Sequence, residues 1–68
     1  MSIAKVIEII SVSEKGWEDA VQNGVKDASK TIDNITGVEV VSATANVKNG
    51  DLREYKATLK VVFGLTDR

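Results

Sequence analysis

Apolar side chains recur at every third or fourth position along one stretch of the chain: Trp17, Ala20, Val21, Val25, Ala28, Ile32 and Ile35, with Gly24 inside the same stripe. That spacing places all of them on one face of an α-helix and predicts a helix over residues 13–35. The opposite face carries Glu18, Asp19, Gln22, Asn23, Lys26, Asp27 and Lys30 and belongs to water. Ser13 has the right side chain to cap the free amides of the first turn. Glu14, Glu18 and Asp19 crowd the positive end of the helix dipole, and Lys26 and Lys30 sit toward its negative end. A glycine inside a helix costs roughly 1 kcal/mol relative to alanine. Close approach of Gly24 to a sheet would offset that cost. No other stretch has this period, and the remainder reads as strand.

The first strand is expected over 3–11, where Ile7, Ile9 and Ile10 supply β-branched bulk. Both of its faces carry aliphatics, with Lys5, Ile7 and Ile9 on one side and Ala4, Val6, Glu8 and Ile10 on the other. Strands apolar on both faces are covered on both faces. One helix covers one face, so a second subunit is expected over the other. After the helix, Asp33, Asn34, Thr36 and Gly37 form a turn. A second strand is expected over 38–47 and a third over 52–65. Between them lies Lys48-Asn49-Gly50-Asp51. Asn-Gly suits a type I′ hairpin, which needs positive φ at both central residues. In the third strand Tyr55, Ala57, Leu59, Val61, Phe63 and Leu65 line the face expected against the helix, and Glu54, Lys56, Thr58, Lys60 and Val62 line the other. Residues 66–68 are expected to fray. The fold class is α+β, strand-helix-strand-strand, with a three-stranded antiparallel sheet partly wrapped around one helix.

Sixty-eight residues make one domain, 1–68. Domains this small bury only about 60% of their unfolded surface and often need cross-links, metals or partners. The chain has no Cys and no His, which removes disulfides and thiolate or imidazole zinc sites and leaves oligomerisation as the leading support. Nine basic and ten acidic residues are mixed along the chain, for a net charge of −1, with no basic stripe for nucleic acid. No apolar run approaches the roughly 18 residues of a membrane span. The N-terminus does not read as a signal peptide, so a cytoplasmic protein is expected.

Without His or Cys the usual general base and nucleophiles are absent, and no Gly-rich phosphate loop is present. An enzyme is not expected. Calcium, which takes oxygen ligands, is the metal this composition permits. Its candidate ligands by residue type are Glu8, Glu14, Asp33 and Glu39, with Asp51 and Glu54 behind them, and any site would be assembled from several strands or subunits. Trp17, the only Trp, lies on the apolar stripe in the first helical turn and is expected to anchor core or interface.

In order of elements, length and register the chain resembles the dodecins, very small flavin-binding proteins. The residues that carry the resemblance are Lys5-Val6-Ile7-Glu8-Ile9-Ile10, Ser13 before the helix, the helix, Val38-Glu39-Val40, Tyr55 and Lys60-Val61-Val62-Phe63. It spans essentially the whole chain, and no single motif is distinctive. The resemblance implies a homododecameric hollow shell built from trimers, with ligands at subunit interfaces and a storage or sequestration role. It also implies a flavin stacked on a Trp at the start of the second strand and hydrogen-bonded by a Gln on the third. Here those positions are Gly37 and Lys56. Gly37 removes the stacking platform, and Lys56 replaces a donor-acceptor amide with a donor-only cation. Lys56 retains the charge to hold a phosphate, so FMN or coenzyme A remain open as ligands beside riboflavin. A branch of the family that lacks the flavin Trp and carries a Trp near the helix start, as at Trp17, is associated in part with calcium. Three functions stay open: a storage shell with a degenerate flavin site, a calcium-binding shell, and a purely structural or interaction protein.

Overall fold

The strand-helix-strand-strand order holds in the computed structural model of the chain, which describes residues 3–65. Its elements are β1 (Ala4–Ser13), α1 (Trp17–Ala28), β2 (Ile35–Lys48) and β3 (Asp51–Gly64). The hairpin pairs β2 with β3, and β1 pairs antiparallel with the other side of β3, giving the sheet order β1-β3-β2. Asn49 (φ 54°) and Gly50 (φ 83°) both take the positive φ that their dipeptide predicts. The expectation that the C-terminus frays concerns 66–68, outside the described residues.

The strand register sorts the side chains into two faces. Toward the helix lie the rows Ile7–Val61–Val38, Ile9–Leu59–Val40 and Ser11–Ala57–Ala43. On the far face lie Val6–Val62–Gly37, Glu8–Lys60–Glu39, Ile10–Thr58–Ser42 and Val12–Lys56–Thr44. The helix lies over β1 and β3, and it buries Ala57, Leu59 and Val61 completely beneath Ala20. Ile7, Ile9, Val21 and Ile35 pack around this core. Gly24 is the point of closest approach. A Cβ built there would lie 3.0 Å from Leu59 Cδ1 and 3.0 Å from Ser11 Cβ.

The helix is shorter than its stripe. It begins at Trp17, with Gly16 as an extended N-cap (φ 160°, ψ 173°) that offers no side-chain cap. Ser13 is therefore not the N-cap; it ends β1. Its hydroxyl donates to Asp19 Oδ2 at 2.6 Å and accepts from the Lys15 amide at 2.9 Å, tying the end of the strand to the first helical turn. After Ala28 the amides of Lys30 and Thr31 turn back on Asp27 and Ala28 in i→i−3 bonds, and the helix closes. The Ser29 hydroxyl donates to the Val25 carbonyl, and Asn34 (φ 64°) turns the chain into β2. Ile32 and Ile35 still face inward, but as turn and strand.

The hairpin leaves the chain extended at one end. The β2–β3 hairpin runs past Ser13↔Tyr55, the last pair of β1, into an arm with no cover. Its cross-strand pair Val47 and Leu52 is exposed. The radius of gyration is 13.9 Å, against about 11 Å for a compact chain of this length.

Candidate functional site

Gly37 sits just after a register shift in β2, between Ile35 and Gly37, on the far face beside Val62. Nothing lies within 4 Å of a Cβ built on it. The place where the resemblance puts an aromatic platform is therefore open space. Lys56 is also on the far face, exposed, between Val12 and Thr44. Gly37 aligns with Val62 of β3, so the two positions are six residues apart along that strand, or about 20 Å at the rise of a β-strand. One chain does not bring them onto a single small ring system. Within one chain, then, no side chain stands at Gly37 and the two positions do not meet.

The carboxylates are similarly dispersed. Glu8 and Glu39 stand directly opposite Lys60 from either side, an alternating ladder across the far face in which the cation separates the two acids. Glu14 lines a 230 Å³ depression at the base of the arm with Leu52, Arg53 and Glu54. Asp33 lies at the opposite end, beside Phe63 and Gly64. Asp51 closes the hairpin opposite Lys48. Among the described residues no three Asp or Glu side chains converge as a metal site. Asp19, which is not one of the candidates, has its Oδ2 occupied by Ser13 and Asn23.

Trp17 is an anchor between elements. Its Nε1 donates to the Thr44 carbonyl of β2 at 2.8 Å, and its ring meets Tyr55 edge to face, with centroids 5.0 Å apart and planes at 85°. The ring is 37% exposed. Thr44 accepts where β2 and β3 slip register, between Thr44 and Asn46. The extra residue on β3 there includes Glu54 in the left-handed region (φ 48°), whose carboxylate accepts from Asn46 Nδ2 at 2.6 Å. Sequence reasoning missed this bulge, because Glu carries none of the glycine or asparagine signal for positive φ. It also missed how much of β2 the helix leaves bare. Val38 and Val40 point to the helix side but stay 41% and 50% exposed. That signal was available, since a single helix about 10 Å across does not span three strands spaced about 4.8 Å apart.

A family model described as Dodecin matches residues 3–66. The chain is 29% identical over 65 residues to the dodecin of Thermus thermophilus, covering 96% of this chain and 94% of that protein. A crystal structure of an Arg-to-Ala mutant of that dodecin superposes with a TM-score of 0.91 at 28% identity, over 98% of this chain and 100% of that one. The chain is 33% identical over 63 residues to the calcium dodecin of Mycobacterium tuberculosis, covering 93% of this chain and 89% of that protein. The crystal structure of that calcium-chelating antigen, with its novel calcium-binding site, superposes with a TM-score of 0.79 at 32% identity, over 91% and 89% of the two chains.

Proposed function

Because the chain belongs to the dodecin family, we propose that it is a non-enzymatic binding or storage protein: a single 68-residue domain that assembles as a cytoplasmic homododecameric shell. The observation that carries the reading is the surface the subunit leaves uncovered. Its accessible area is 4995 Å², whereas a compact monomer of this mass exposes about 4,200 Å². The excess, about 800 Å², matches what one partner contributes to a standard protein interface. Only four apolar residues are buried among those described, which is little core for an independent subunit.

The ligand is small and bound between copies, and the family's flavin site is degenerate at Gly37 and Lys56. Riboflavin or FMN titration, following flavin fluorescence on protein of known mass, tests this. No saturable quenching by the wild-type assembly is expected, and saturable quenching would show that the flavin site survives both substitutions. No helix among the described residues is long and apolar enough to cross a membrane.

A second reading, a calcium-binding shell, is favoured by the 33% identity to calcium dodecin and by the Trp at the helix start. Glu8, Glu14, Asp33 and Glu39 are its candidate ligands, and they would have to be combined from several copies. Calcium-dependent melting tests it, since an ion bound only by the folded state raises the melting temperature. An unchanged melt in calcium and in chelator would remove the calcium reading.

A further inference from the structure

The sequence holds two Asn-Gly pairs, Asn23-Gly24 and Asn49-Gly50. Asparagine before glycine is the pair in which the backbone most readily attacks its own side chain, because no Cβ on the glycine shields the amide nitrogen. The fold puts the two pairs in opposite settings. Asn23-Gly24 lies inside α1, where each amide is held by the carbonyl four residues back. Gly24 is buried against Leu59 and Ser11, and Asn23 Nδ2 donates to Asp19 Oδ2 at 3.0 Å. Asn49-Gly50 is the tip of the β2–β3 arm, beyond the last pair of the ladder, Lys48↔Asp51. Both residues are exposed, and nothing lies within 4 Å of a Cβ built on Gly50. The Gly50 amide has no hydrogen-bond partner among the described residues.

From these settings we infer that Asn49 is a site of spontaneous deamidation and that Asn23 is spared. The Gly50 amide nitrogen loses its proton and bonds to Asn49 Cγ. The Cγ–Nδ2 bond breaks, and the nitrogen leaves as ammonia with that proton. One water then opens the five-membered imide at either carbonyl carbon. Attack at Cγ breaks the new bond and leaves aspartate. Attack at the main-chain carbonyl breaks the original peptide bond and leaves isoaspartate, with the chain routed through the side chain. Both turn a neutral amide into a carboxylate and consume only water. The ring closes only when Asn49 leaves its left-handed turn conformation, so the rate follows how often the tip opens. Opening there is cheap: the pair beneath the tip, Val47 and Leu52, is 66% and 48% exposed, and β1 does not reach it. Uncovered ends open at little free-energy cost, whereas a helix packed on the core opens only with much of the fold. Isoaspartate adds one carbon to the backbone of a two-residue turn, and either product places a second negative charge beside Asp51. The modified tip therefore holds the arm less firmly.

The wild-type protein, kept in warm, slightly alkaline buffer and sampled over time, provides the test. Brief trypsin digestion separates the two pairs into peptides 16–26 and 49–53, and mass spectrometry reads the change of an amide to an acid in each. Asn49 is expected to convert more than about tenfold faster than Asn23, since the tip opens locally and the helix does not. In urea, where neither element persists, the two rates should come together. Electron-transfer fragmentation of peptide 49–53 should show isoaspartate beside aspartate; aspartate alone would overturn the imide route. Asn23 converting as fast as Asn49 in the folded protein would overturn the inference. So would an unmodified peptide 49–53 at a time when the urea sample has fully reacted, because the turn or a covering surface would then be holding the tip closed.

Discussion

Replacing Gly24 by alanine sets two effects of opposite sign against each other. Alanine in a helix interior is favoured over glycine by about 1 kcal/mol. Against that, the new methyl would stand 3.0 Å from Leu59 Cδ1 and 3.0 Å from Ser11 Cβ, closer than ordinary van der Waals contact. Ser11 Cβ is fixed to the backbone of β1, which is hydrogen-bonded along its length to β3, so it cannot yield without moving the strand. Leu59 is fully buried, so any shift of its Cδ1 has to be taken up by the close-packed residues around it. Overpacking of this kind costs about 1–3 kcal/mol. The net expectation is a destabilisation of up to about 2 kcal/mol, since most of the packing range outweighs the helix gain. Urea unfolding at one fixed protein concentration measures it, with Gly37→Ala as the control because nothing lies within 4 Å of a Cβ there. The control should be neutral or slightly stabilising. A Gly24→Ala protein more stable than wild type would refute the close helix–sheet contact, and with it the reason for a glycine in the helix.

The same geometry gives four further expectations. Ala20→Asp places a charge at a fully buried site and should cost about 3–5 kcal/mol, enough to remove the helical circular dichroism signal, while Val25→Asp, at a half-buried site, should cost less. Gly50→Ala forces an L side chain to φ 83° at about 1–2 kcal/mol, visible as a lower urea midpoint. Trp17→Phe keeps a ring against Tyr55 but removes the hydrogen bond to the Thr44 carbonyl, a loss of about 0.5–1.5 kcal/mol that the same unfolding curves would detect. Gly37→Trp fills open space and should confer riboflavin quenching, with a stacking gain of about 1–3 kcal/mol per ring by analogy with bases on aromatic side chains; no gain on titration would mean the pocket is closed for other reasons.

The elements whose physics is local were legible in the sequence. The stripe through Ala20 and Gly24, the alternation of Ala57, Leu59 and Val61, and the Asn49-Gly50 turn each need only neighbours a few residues away, and each appears as read. The helix ends were not legible. Ser13 looks like a cap because capping is a matter of side-chain type, yet which Ser, Thr or Asp does the capping depends on where β1 releases the chain, and β1 runs on through Ser13. Ile32 and Ile35 keep the helical spacing although the chain around them is turn and strand, because an inward-facing residue is apolar whatever its backbone does. The candidate site was legible only as positions. Gly37 and Lys56 fall where the resemblance places the flavin contacts, but their separation along β3 follows from the sheet register, which depends on pairings between residues far apart in sequence.

The mass of the wild-type particle in solution, by light scattering behind a sizing column, bears most directly on the central claim. A single species of twelve times the 7.3 kDa chain is expected. A species at the mass of one subunit would mean that the bare faces of β1 and β2 are stable in water, and that this chain has the dodecin fold without the assembly.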